Sequence, residues 1–203
     1  MSHPGFAKRE RLRRRSIVTI TLLLPLLPAH AARGSETAWT VYAARISSVN
    51  ACHALITDSL NAEFVDAYIA VAALSWELQR YREERLSIEV EAQAAYNFGD
   101  QHHWELNLAA GPRWHDFPWN DVVTTTAPFG LGLSMASEIP DVEVQLEGAS
   151  ERLLNYWMAE ITLAQPNSPW SVSLRLHHRS PAFGFLGDDG GMNALGVGLR
   201  RAF

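Results

Sequence analysis

Cysteine and lysine are almost absent from this chain of 203 residues, which has one of each, Cys52 and Lys8. A lone thiol closes no internal disulfide, which excludes a stapled mini-domain of the kind common among small secreted proteins. Long apolar runs are scarce as well. The stretch from Ile17 to Leu27 is broken by Pro25, and it falls short of the ~20 residues that a membrane-spanning helix needs. Its setting is that of a secretory signal. Lys8, Arg9, Arg11, Arg13, Arg14 and Arg15 form a basic start, "SIVTITLLLPLLP" an apolar middle, and Ala29-His30-Ala31 a small-x-small cleavage site. Residues 1–31 are therefore read as a cleaved signal peptide and residues 32–203 as one domain, a length ordinary for a single fold. No cysteine directly follows the apolar stretch, so a lipoprotein anchor is excluded at that point. Of the 17 basic and 22 acidic side chains, the first 31 residues hold six and one. Eleven arginines then face 21 acids, a net charge of about −10. Such a chain lacks the basic footprint that nucleic acid demands.

What the remaining residues show is alternation. In "LSIEVEAQA", Leu86, Ile88, Val90, Ala92 and Ala94 alternate with Ser87, Glu89, Glu91 and Gln93. A period of two puts the first set on one face of a strand and the second on the other. The same pattern sets Trp104, Leu106 and Leu108 against Glu105 and Asn107, and Trp157, Ala159, Ile161 and Leu163 against Tyr156, Met158, Glu160 and Thr162. Leu74, Trp76 and Leu78 likewise oppose Ser75, Glu77 and Gln79.

Eight such segments are expected: Trp39 to Ile46, Tyr68 to Arg80, Arg85 to Phe98, His102 to Trp114, Val123 to Ala136, Arg152 to Ala164, Trp170 to Ser180 and Asn193 to Phe203. Turn-forming stretches join them, among them "REE", "GDQ", "HDFPWND", "EIPDVE" and "QPNSP". The fold class is all-β. A water-soluble sandwich or lipocalin-like barrel would turn the apolar faces inward, whereas an outer-membrane barrel turns them to lipid. Strands of ten residues or more, small residues sharing the polar face with charges, and a last strand ending on Phe203 favour an eight-stranded antiparallel outer-membrane β-barrel. In that case Glu77, Glu89, Glu91, Glu105 and Glu160 share the lumen with Arg175, His177 and Arg179, where they must pair. Arg201, two residues from the end of an apolar stripe, is expected to snorkel to headgroups.

The chemistry concentrates in "SLRLHHRSPAFGFLGDDGGMN", residues 173 to 193. Alternation puts Val172, Leu174, Leu176, His178 and Ser180 on one face and Ser173, Arg175, His177 and Arg179 on the other. A His two residues before a Ser on a strand has its imidazole on the side of the hydroxyl, as a general base requires. On the next strand Asn193 heads the stripe Leu195, Val197, Leu199. If the strands are antiparallel neighbours, His178, Ser180 and Asn193 gather on the outer wall at one rim. A polar residue there also suits the headgroup level without any chemistry.

The last 28 residues, "LHHRSPAFGFLGDDGGMNALGVGLRRAF", resemble the PagL-type lipid A deacylases, eight-stranded outer-membrane barrels with a lipid-facing serine hydrolase site. The resemblance maps that family's H-x-S motif onto His178, Arg179 and Ser180, with His178 as base and Ser180 as nucleophile. Its G-x-E motif, whose acid orients the histidine, maps onto Gly191, Met192 and Asn193. It implies hydrolysis of an ester-linked acyl chain of lipid A or lipopolysaccharide, in the bacterial outer membrane among its lipids, with no cofactor and no metal. A homodimer is compatible with it, since a partner would shield a catalytic outer wall. Two residues depart from the family. Asn193 replaces the acid, unless Asp188 or Asp189 stands in, and Pro181 follows the serine and has no N–H for an oxyanion. The amides of Ala182 and Gly184 are the remaining candidate donors. A non-catalytic barrel with a structural or lipid-binding role is the competing reading. Arg179 is expected to meet a lumen glutamate rather than a phosphate.

Other stretches carry less. His102 and His103 are neighbours on one strand, face opposite ways and make a poor metal pair. "RWHDFPWND" is suited to plugging a barrel end or anchoring at an interface. Ser47 to Val65 reads as a long first loop with Cys52 a bystander in it.

Overall fold

The computed structural model describes residues 36–48 and 63–203. The expected signal peptide and the loop around Cys52 lie outside the described residues. Eight strands follow in chain order: β1 (Thr37–Ser47), β2 (Phe64–Tyr81), β3 (Leu86–Gly99), β4 (His103–Trp114), β5 (Thr124–Ala136), β6 (Leu153–Ala164), β7 (Trp170–Ser180) and β8 (Met192–Ala202). Each pairs antiparallel with the next, and β1 closes on β8. Closure leaves no strand edge unpaired, which a bilayer requires because it offers backbone groups no water.

The alternation sorts as a membrane barrel sorts it. Leu106, Leu108 and Leu131 are more than half exposed on the outside, Leu106 at 65%, while Glu91, Glu105, Glu160, Arg175 and Arg179 are buried inside. An apolar belt around a charged interior overturns the lipocalin-like alternative, since a soluble barrel would leave that belt in water. No helix among the described residues is long and apolar enough to cross a membrane; the strands do the crossing.

The charges pair as expected, and the lumen is packed. Arg175 donates to Glu91 at 2.5 Å and to Glu160 at 2.6 Å, and Arg113 donates to Glu89 at 2.7 Å. Tyr42, Gln93 and Tyr156 form a hydrogen-bonded layer beside His177. Above this layer Tyr42, Ile46, Ile69, Val71 and Met192 form an apolar cluster sealed by Val142. Arg201 lies over Trp170 at 5.6 Å, at the end where the chain terminus pairs with β1.

Three expectations need correction. The connector at 138 to 143 runs into a helix, α1 (Asp141–Glu147), closed by Gly148 in a left-handed conformation. β2 starts at Phe64, four residues earlier than expected, and its first half breaks the apolar–polar alternation, because Ala67, Ile69 and Val71 face inward into the apolar cluster where a polar face was expected. A bulge between Glu77 and Gln79 inverts the alternation there. Gln79 thus leaves the polar face, and Arg80 turns inward to hold Glu77 at 2.7 Å.

Candidate active site at the outer rim

The β7–β8 hairpin sets the site. Register pairs His178 with Asn193 on β8 and with Trp157 on β6, so the imidazole is flanked on both sides. His178 Nδ1 lies 2.7 Å from Asn193 Oδ1, and the ring lies 4.6 Å from the Trp157 ring. Although it faces the lipid side, His178 is only 9% exposed. With Nδ1–H donating to the amide oxygen, the tautomer carries its lone pair on Nε2, the form in which an imidazole acts as a base. Ser180, two positions on, points to the same side of the sheet. Its hydroxyl makes no hydrogen bond among the described residues, a looseness common in unliganded sites. A cleft of ≈ 220 Å³ runs along this rim, lined by His178, Ser180, Pro181, Gly191 and Asn193.

The lumen side braces the hairpin. Glu143 on α1 is fully buried and accepts from Ser150 Oγ at 2.5 Å, Arg179 Nη1 at 2.7 Å and the Gly191 amide at 3.2 Å. Arg179 therefore meets a glutamate, as expected, and stands 3.6 Å from a second, Glu105. Burial pushes the Glu143 carboxyl above its ordinary range, against the pull of Arg179 and Ser150. Gly191 has φ 122°, and a Cβ there would lie 2.4 Å from the Arg179 carbonyl oxygen. Only glycine lets the chain pass so close to β7 and begin β8 opposite it. Helix α1 thus fixes the residue two before Asn193.

The other candidates fall as follows. Ala182 and Gly184 sit on the β7–β8 loop at φ 52° and 87°, outside the lining of the cleft. Their amides make no backbone hydrogen bond among the described residues. Asp188 and Asp189 line the cleft, but it is Asn193 that meets His178 Nδ1. His103 faces inward to Glu105 at 3.1 Å, while His102 is exposed. At the opposite end of the barrel Glu77, Glu89 and His115 bring ligand atoms within 4.8 Å of one another. Arg80 and Arg113 already hold both carboxylates. Burial and the same two guanidinium groups lower the His115 pKa to about 4. Sequence reasoning missed Glu143 because α1 read as a turn. The signal was Val142 and Leu146 at helical spacing before Gly148. It missed Trp157 as well, whose place beside His178 follows only from strand register.

No protein-family model matches the chain, and no curated protein sequence is similar to it. Among solved structures, the outer membrane enzyme PagL superposes with a TM-score of 0.58 at 14% identity, over 81% of this chain and 98% of that one. Neisserial surface protein A gives 0.49 at 12% identity, over 84% and 99%, and the attachment invasion locus protein Ail of Yersinia pestis gives 0.47 at 13%, over 84% and 99%. At such identities the likeness to PagL is one of fold: this chain is an eight-stranded antiparallel barrel of the outer-membrane kind.

Proposed function

We propose that this barrel is an outer-membrane serine acyl hydrolase that removes an ester-linked acyl chain from lipid A or a related lipid. The observation that carries the reading is the 2.7 Å contact between His178 Nδ1 and Asn193 Oδ1, on the lipid-facing wall beside Ser180. An imidazole oriented by a neighbour and facing the same side as a hydroxyl is the arrangement that activates a serine. The likeness of the H-x-S motif and the barrel shared with PagL support the same reading.

The steps follow from these groups. Ser180 Oγ attacks the ester carbonyl carbon while His178 Nε2 takes the hydroxyl proton. The tetrahedral intermediate collapses, the sugar-side oxygen leaves with the proton returned by His178, and an acyl-serine remains. Water, activated by the same Nε2, attacks the acyl-serine, releasing a fatty acid and restoring Ser180. Asn193 holds the imidazole in the useful tautomer but adds no negative charge, so the imidazolium gains less stabilisation than beside a carboxylate. The unengaged amides of Ala182 and Gly184 are the candidate oxyanion donors, since Pro181 has none. The chemistry calls for no cofactor. A substrate that is itself a membrane lipid explains why the serine faces outward.

A fluorophosphonate tests the nucleophile directly. The peptide containing Ser180 is expected to gain the phosphonyl mass in the folded barrel and to lose that labelling in His178→Ala; labelling of other serines alone would remove Ser180 from the role. A second reading, a non-catalytic barrel with a structural or lipid-binding role, is favoured by the neutral Asn193 and the unbonded Ser180 hydroxyl. On that reading the wild type is inert and Asn193→Glu creates activity; an active wild type excludes it.

A further inference from the structure

The turn that leaves Ser180 runs against ordinary preference. Ala182, Phe183 and Gly184 follow one another at φ 52°, 57° and 87°, three successive left-handed residues of which only the last is a glycine. For a bulky side chain that conformation is an outlier, and such strain persists only where the surroundings impose it. Here two backbone bonds close the turn, Phe185 N–H to Ala182 O at 3.3 Å and Leu186 N–H to Pro181 O at 3.1 Å.

The result of the strain is exposure. Phe183 is 106% exposed and Phe185 73%, and neither ring contacts another ring or a cation among the described residues. An exposed leucine is ordinary; two phenyl rings held in water by a strained turn three residues from a candidate nucleophile are not. The position supplies the partner. Val172 and Leu174 on β7 belong to the lipid-facing stripe, which runs up through His178 to Ser180, and the turn extends that stripe past the end of the strand. The loop is two-sided, because Asp188 and Asp189, near β8, are exposed as well. Rings on the β7 side and carboxylates on the β8 side match a segment lying at the boundary between acyl chains and headgroups.

We propose that Phe183 and Phe185 form an apolar lip that inserts among the acyl chains of outer-leaflet lipid and holds a lipid ester against Ser180. The insertion itself does not depend on catalysis; its use for substrate capture rests on the hydrolase reading above. The strained turn keeps both rings pointed away from the barrel, where they would otherwise fold back onto it.

The test uses the full barrel in vesicles of phosphatidylcholine and lipopolysaccharide, with two readouts. Phe183→Cys in a Cys52→Ser background carries an environment-sensitive fluorophore. Quenching by lipids spin-labelled on the acyl chain, exceeding quenching by aqueous iodide, is expected. Quenching by iodide alone would overturn the lip whatever the enzyme does. The second readout compares Phe183→Ala/Phe185→Ala with the parent on lipid A and on p-nitrophenyl acetate. The rate on the lipid should fall about tenfold further than the rate on the short ester, and Phe183→Trp should restore most of it. Equal losses on the two substrates, or none on either, would refute the capture role. A Ser180→Ala variant with full activity would refute the hydrolase reading instead, leaving the quenching result to decide the lip.

Discussion

Replacing Arg175 with methionine tests whether the lumen is a dry, ion-paired core. Arg175 is 2% exposed, donates to Glu160 through Nε and to Glu91 through Nη1 and Nη2, and lies 4.9 Å from the Tyr42 ring. After substitution Glu160 keeps Ser173 at 2.7 Å and Arg113 at 3.8 Å. Glu91 keeps the neutral Gln93 amide at 2.7 Å as its hydrogen-bond donor, with Arg113 acting on it only through space. One carboxylate is then left buried without a paired cation, and breaking a buried pair from one side costs about 3–5 kcal/mol. That is a large part of the ~5–15 kcal/mol by which a domain is stable. The assay is urea unfolding in detergent, followed by far-UV circular dichroism and heat-modifiable gel migration. Arg175→Met/Glu91→Gln, which removes both partners, should recover much of the loss. A loss below about 1 kcal/mol would refute the reasoning, because it would mean that water reaches and solvates the carboxylate.

Three further outcomes are expected. Asn193→Ala should lower kcat on an acyl ester about fivefold, the worth of one neutral hydrogen bond, whereas Asn193→Glu should raise it; steady-state kinetics on the folded barrel decide. Glu143 has its carboxyl pKa raised in the fold, so the folded state binds that proton more tightly than the unfolded chain does. Its stabilising effect is present at low pH and lost as pH rises through the raised value, and Glu143→Gln should remove that slope from a series of urea midpoints. His115 has the opposite sign: its pKa falls from 6.5 to about 4, so stability is full above 6.5 and declines as pH falls toward 4. His115→Gln should flatten the decline, and an unchanged acid limb would show that another group causes it.

The barrel was legible in the sequence because lipid and lumen demand opposite chemistry on the two faces of each strand. Leu86 to Ala94 shows this best, with Ile88 and Val90 outside and Glu89 and Glu91 within. Legibility failed where a face changed purpose. The first half of β2 turns apolar residues, Ala67, Ile69 and Val71, inward because it packs under α1, and the bulge at Leu78 shifts the phase by one residue without any mark in composition. Helix α1 has seven residues, so its periodic signal shrinks to the single pair Val142 and Leu146, set between Pro140 and Gly148. The site was half legible. That His178 and Ser180 share a face follows from counting by two, and Asn193 follows from the hairpin. Glu143 does not, because its contact with Gly191 joins helix α1 to the start of β8 across 48 residues.

Mass spectrometry of lipid A from cells producing this chain, beside cells producing Ser180→Ala, tests the central claim most directly, with heat-modifiable migration showing that both barrels fold. The account predicts lipid A lacking one ester-linked acyl chain with the wild type and intact lipid A with the variant. Unchanged lipid A in both, with both barrels folded, would contradict it.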